Sequence, residues 1–179
     1  RNSSKGEIVM SLTTSELNKY FIRCLGDSLV DSSDVNEKPL CVKVKMPEEK
    51  KLRVYLYNSG NPPGGRPLGE YKIVLNVGQP YGCRGNFDYS DGYIVLLIGY
   101  IEAHDVFVFW DATRHKDFAF NKNLQVKAAT VLTALANELS YQNRKTDNGT
   151  EIVIAAKAEN LKLAIRKRID LMVEQMIEG

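Results

Sequence analysis

From Leu40 onward the chain alternates with a period of two. Val42, Val44 and Met46 alternate with Lys43 and Lys45, the pattern of a half-buried strand. After the charged turn 47–51, Leu52 to Tyr57 forms a second such run and Tyr71 to Val77 a third. Tyr93 to Ile101 and Val106 to Trp110 are β-branched and aromatic almost throughout, which predicts two buried strands, and the short polar turn 102–105 between them makes a hairpin. Leu124-Gln125-Val126 and Ile152-Val153-Ile154 complete the strand set. At both ends the period becomes helical. Thr13-Thr14-Ser15-Glu16 is a capping box, followed by Leu17, Tyr20, Phe21, Cys24 and Leu25 on one face. The run 159–177 sets Leu161, Ile165, Ile169, Met172 and Met176 in one stripe, with Lys162, Arg166, Lys167 and Arg168 as the solvated face. Ala128, Val131, Leu132, Leu135 and Leu139 predict a further helix over 127–140, whereas 31–39 and 141–150 have loop composition. Strands in the middle and helices at the ends predict a mainly β, α+β fold: an antiparallel sheet or barrel with peripheral helices.

Two long polar loops interrupt this pattern. The first, 58–72, reads Asn-Ser-Gly-Asn-Pro-Pro-Gly-Gly-Arg-Pro-Leu-Gly-Glu-Tyr-Lys; the second, 111–123, carries Arg114-His115-Lys116, Asn121, Lys122 and Asn123. Loops of this length in a compact domain usually have a binding role. The glycines of the first do not make a phosphate loop, because GxxxxGK[ST] is absent and a strand, not a helix, follows. They fit a backbone that must take unusual dihedrals close to a partner. Arg66 at the tip is either a base or phosphate contact, or an arginine pinned to Glu70 to shape the loop. Arg, Lys and Asn in the second loop are the residue types that read guanine and adenine edges in the major groove, although a solvated surface loop has the same composition.

Composition narrows the choice modestly. A chain of 179 residues suits one domain, here divided into an N-terminal helical segment 1–35, a strand body 40–157 and a C-terminal helix 158–178. A net charge of +2 is too small to indicate nucleic acid by itself, so the placement of the charges has to decide. Cys24, Cys41 and Cys83 lack CxxC spacing and read as free thiols of a reducing compartment. With only His104 and His115 besides them, a Cys and His metal site is not expected. No apolar run is long enough for a transmembrane helix, and a chain that starts at Arg1 reads as a piece of a longer polypeptide. Among enzymatic readings, Glu70-Tyr71-Lys72 matches the Glu-x-Lys half of a metal-dependent nuclease core, with Asp34, Glu48 or Glu49 as conceivable partners. Pro67-Leu68-Gly69 in front of it puts Glu70 at a loop edge, not inside a hydrophobic strand. No Ser, His and Asp set and no Cys and His pair has a nucleophile's context. A protein-interaction domain is the remaining alternative.

The ordered set Arg66-Pro67-x-x-Glu70-Tyr71-Lys72-Ile73, Leu97-Ile98-Gly99-Tyr100, Asp105 to Asp111, the Arg-His-Lys loop and Leu124-Gln125-Val126 resembles the B3-like DNA-recognition domains of restriction endonucleases. These are the effector domains of EcoRII and BfiI type, and the C-terminal domain of NgoAVII-type R proteins is the nearest. The resemblance spans about 52–126, with 151–165 compatible. It implies a pseudobarrel of about seven mostly antiparallel strands that grips the major groove of double-stranded DNA between two arms, 59–69 and 111–123. On that pattern the DNA-binding residues are Ser59, Asn61, Gly65, Arg66 and Lys72 of the first arm, and Arg114, His115, Lys116, Asn121, Lys122 and Asn123 of the second. The resemblance further implies no cofactor and no catalytic residue in this domain. Cleavage falls to a nuclease domain of the parent chain, an ATP-dependent translocase subunit is a partner in some members, and the setting is the bacterial cytoplasm.

Overall fold

The computed structural model describes residues 11–60 and 69–178. Helix α1 (Thr14–Leu25) opens on the predicted capping box: Thr13 Oγ1 accepts the Glu16 N–H at 3.1 Å while Glu16 Oε1 accepts the Thr13 N–H at 2.8 Å. The strands are β1 (Leu29–Ser32), β2 (Leu40–Lys45), β3 (Glu49–Asn58), β4 (Glu70–Leu75), β5 (Ile94–Ile101), β6 (Val106–Trp110), β7 (Lys122–Lys127), β8 (Ser140–Thr146) and β9 (Gly149–Lys157). Helix α2 (Ala128–Ala134) follows β7, and α3 (Leu161–Glu178) ends the described chain. Seven strands form one sheet in the order β1-β2-β3-β5-β6-β9-β8, antiparallel except for the β3–β5 pair, and β4 and β7 make a separate antiparallel ladder. The fold is thus mainly β and α+β with helices at both ends, as the pattern predicts. Among the described residues the strands do not close a barrel: the pseudobarrel of the resemblance is here an open sheet with a short ladder laid over one face.

Alternation along the central strands feeds two cores, one on each face of the sheet. On one face Val54, Leu56, Leu96, Ile98, Phe107, Phe109 and Ile154 pack with Leu17, Phe21 and Leu25 of α1 and Leu161 and Ile165 of α3. On the other, Tyr55, Leu97, Val108, Trp110 and Val153 pack with Tyr71, Ile73 and Leu75 of β4, Leu124 and Val126 of β7 and Val131 of α2. Cover on both faces explains why β5 and β6 read as continuous apolar runs. The ladder comes closest to the sheet at Gly99, where a Cβ would lie 2.7 Å from the Ile73 side chain and 3.0 Å from the Trp110 ring. A glycine is therefore required at the point where the two layers meet. Trp110, fully buried, ties them together by donating its indole N–H to the Gln125 carbonyl at 3.1 Å.

Four expectations need correction. The helix predicted over 127–140 is only the seven residues of α2, with Leu132 and Leu135 exposed. The predicted loop 141–150 is a hairpin: β8 pairs with β9 from Ser140↔Ala155 to Thr146↔Gly149, leaving Asp147 and Asn148 as the turn. β8 is an edge strand whose alternate residues, Gln142 and Arg144, meet polar partners, so it shows no apolar period. The loop assigned to 31–39 likewise begins with the end of edge strand β1. Arg168, read as solvated, is buried. No helix among the described residues is long and apolar enough to cross a membrane.

Candidate functional site

The two polar loops are rooted at opposite ends of the β4–β7 ladder. The first enters β4 at Glu70 and the second enters β7 at Lys122, and the register pairs Glu70 with Lys127 and Leu75 with Lys122. At about 3.4 Å per residue the two roots stand roughly 17 Å apart along the ladder. Its outer face, turned away from the sheet, is polar between them except for Val74: Glu70 opposite Lys127, Lys72 opposite Gln125, and Val74 opposite Asn123. The opposite side chains, Tyr71, Ile73, Leu75, Leu124 and Val126, are those of the core.

Of the first arm's predicted contacts, Asn61, Gly65 and Arg66 lie outside the described residues. Ser59 fastens the base of the loop: its N–H donates to the Tyr100 carbonyl at 2.9 Å and its Oγ to the Lys72 carbonyl at 3.1 Å. Gly60 and Lys72 exchange N–H···O bonds at 3.2 Å, and the Asn58 amide donates to Leu12 O at 2.7 Å. Lys72 itself is half-buried on the ladder. Glu70 is exposed at the edge of the ladder, and among the described residues no three His, Cys, Asp or Glu side chains converge as metal ligands.

The second arm stands on a buried polar frame that sequence reasoning missed. Glu151 of β9, buried, accepts the Asp111 N–H at 3.0 Å, His115 Nε2 on both carboxylate oxygens at 3.0 Å and Arg144 Nη1 at 2.8 Å. An ionised carboxylate only accepts, so His115 Nε2 donates here. Burial pushes the Glu151 carboxyl up, but the hydrogen bond and charge of His115, the Asp111 N–H and the Arg144 guanidinium outweigh it and hold the group below the ordinary glutamate range. Asp111, also buried, caps the turn that follows by accepting Thr113 N–H at 3.0 Å and Thr113 Oγ1 at 2.6 Å. Its carboxylate faces Arg168 at 3.8 Å and Arg114 at 3.9 Å, and Arg168 donates to the Ile152 carbonyl. Desolvation lowers the Arg168 pKa, and Asp111 and Glu151 oppose that. In the amide orientation that matches donors to acceptors, Gln175 of α3 donates to Asp111 Oδ2 and accepts from Arg114 Nη2, both at 3.2 Å. Arg114 also donates to the Asn148 carbonyl at 2.8 Å, while the Asn148 amide returns a bond to Arg114 O at 3.1 Å.

Arg114 and His115, two predicted base contacts, are therefore built into the frame: His115 is buried and Arg114 clasps the β8–β9 turn. Replacing Arg114 by alanine is expected to destabilise the fold by about 1–3 kcal/mol, the usual scale for hydrogen bonds to a charged group. Urea denaturation checks this, and an unchanged midpoint would show that the clasp holds nothing. Lys116, Asn121 and Asn123 are exposed and Lys122 is half-buried. Asn121 sits at φ 54° in the turn that closes with Lys122 N–H on Ala119 O at 3.1 Å, a left-handed position that asparagine tolerates. Lys116 and Asn121 are thus exposed along the arm, Lys122 and Asn123 stand at its root on β7, and Arg114 and His115 are drawn into the frame.

A second omission is the irregular segment before β5. Gly85 and Phe118 exchange backbone bonds at 2.9 Å, Arg84 Nε donates to the Asp117 carbonyl at 2.9 Å and pairs with its carboxylate at 3.0 Å, and Asp117 N–H donates to Asn86 Oδ1 at 2.7 Å. This places Arg84 beside Lys116 and Lys122 along an open groove of about 540 Å³ that is closed on its other side by Asp147 and Asn148.

No curated protein and no solved structure matches the chain. A family model does, over residues 50–165, from the start of the central strands into α3 and across the ladder, both loop roots and the Asp111–Glu151 frame. That span exceeds half of the chain, and the chain belongs to the methylase-associated X1 family, which is associated with restriction-modification systems.

Proposed function

We propose that this chain is a sequence-specific double-stranded DNA recognition module of a restriction-modification enzyme, B3-like in its use of two arms, 59–69 and 111–123, in the major groove. The observation that carries the reading is the pair of loops springing from opposite ends of one ladder whose outer face is polar. In a restriction-modification setting, a polar platform flanked by two arms suits a duplex better than a small molecule. The side chains offered to bases are Lys116 and Asn121 of the second arm and Asn123 at its root on β7, joined by Asn61 and Arg66 of the first. Lys72, Lys122 and Lys127 lie where phosphates would pass and supply affinity without sequence preference. Arg114 and His115 act as positioning residues, through the frame. The module is non-catalytic by itself; cutting belongs to a nuclease domain of a longer bacterial, cytoplasmic protein, with a translocase subunit where the enzyme is ATP-dependent.

Selection from random duplexes followed by sequencing tests this directly. A short enriched motif is expected, with binding that weakens steeply as salt rises, because neutralised phosphates release counterions. No enriched motif together with salt-insensitive binding would sink the proposal. On the selected site, Asn123→Ala is expected to lower specific affinity by about 1–3 kcal/mol and relax one base position. Lys127→Ala should weaken all sequences alike and reduce the salt slope by about one. If both variants behave alike, the division into readers and phosphate contacts is wrong.

A further inference from the structure

The most exposed large hydrophobic side chain among the described residues is Tyr81, at 91 %. It does not sit on a loose tail. It occupies a β-turn in which Cys83 N–H donates to Pro80 O at 3.0 Å and Gly82 takes φ +77°, the positive value that a type II turn demands of its third residue. The turn lies in the segment stapled to the second arm through Gly85 and Phe118, and Phe118 is anchored in the core against Phe87 at 5.1 Å. Across the staple, the Tyr81 ring meets Phe120 of the arm at 5.2 Å, tilted by 59°. Phe120 belongs to the same arm as Lys116 and Lys122, which with Arg84 line the groove. A tyrosine fixed in a turn, out in water and backed by a second ring, forgoes the burial that normally places aromatic rings inside.

We propose that segment 79–86 and the second arm form one DNA-contacting lobe, in which Tyr81, backed by Phe120, stacks on a base at an unstacked step of the bound duplex. Lys116 and Lys122, in the groove of the same lobe, would take phosphates nearby. Asp117 does not oppose this, because its carboxylate is paired with Arg84. Every base offers a π-face, so the contact adds affinity at a deformable step without reading its identity by hydrogen bonds. The inference rests on the DNA-recognition reading and deepens it.

The test is fluorescence anisotropy on the selected duplex with the wild type, Tyr81→Ala and Tyr81→Phe, each at several salt concentrations. Because Tyr81 is almost fully exposed, neither variant should change the melting temperature. Expected results are an affinity loss of about tenfold or more for Tyr81→Ala with the salt slope unchanged, and near wild-type binding for Tyr81→Phe. If the wild type binds its site and Tyr81→Ala binds equally well, as it would if the ring pair served a protein partner, the stacking inference fails while the recognition reading stands. A loss that comes with a smaller salt slope would mark a phosphate contact and equally overturn it. Absence of duplex binding by the wild type would remove both.

Discussion

Glu151→Ala is expected to destabilise the protein at neutral pH by about 3–5 kcal/mol, the scale on which a buried ion pair is broken by removing one partner. For a domain of this size that is a fall of roughly 6–20 °C in melting temperature, which calorimetry would read. The magnitude follows from how many groups the carboxylate satisfies. The Asp111 N–H, His115 Nε2 and Arg144 Nη1 all lose their acceptor at once, two from the root of the second arm and one from β8. The pH dependence has a definite sign. The folded-state pKa of Glu151 is lowered, so the stability it contributes is fully present above the ordinary value of 4.5 and is lost as pH falls through the lower folded value. Glu151→Gln removes that contribution, so the stability gap between it and the wild type should be widest near neutrality and shrink as the solution is acidified below about pH 4.5. A gap that is constant with pH would mean that Glu151 does not titrate against this frame.

The frame also explains why composition misled about the second arm. Asp111, Arg114, His115, Arg144, Glu151 and Arg168 are charged or ionisable residues at separations of up to 57 positions in a chain whose polar residues read as surface. Nothing in their spacing records that β8, β9 and α3 fold back over the root of the arm. Arg168 is the clearest case, since it falls among Lys162, Arg166 and Lys167, yet the turn of α3 carries it beside Ile165 and Ile169 into the buried side. What could be read from sequence was what depends on local periodicity: the capping box of α1, the β5–β6 hairpin and the apolar run of every central strand. The β8–β9 hairpin carries one local signal, Asp147-Asn148-Gly149, the residue types of a tight hairpin turn set within an otherwise polar composition. The ladder was half legible. Its strands alternate, but their pairing with each other rather than with β3 or β6 is a tertiary fact, set by Gly99 and Trp110, which let Ile73 reach the sheet.

That junction carries the other large expected effect. Trp110→Ala should cost about 3–5 kcal/mol, because a fully buried indole between the two layers leaves a cavity that the sheet can close only in part. Trp110→Phe separates packing from hydrogen bonding. It retains an aromatic ring but leaves the Gln125 carbonyl without its donor, for an expected loss of about 1–3 kcal/mol. The loss should also be local. Gln125 is in β7, paired with Lys72, so loosening its carbonyl releases the strand that carries Asn123 and Lys127 on the polar face. Hydrogen exchange on Trp110→Phe is expected to show reduced protection in β4 and β7 before β5 and β6, which keep their own ladder. If the proposed DNA platform is the outer face of β4 and β7, the same variant should lose affinity for the selected site while its sheet stays folded. Uniform loss of protection across both layers would instead mean that ladder and sheet unfold as one unit, and that the indole bond holds no separable platform in place.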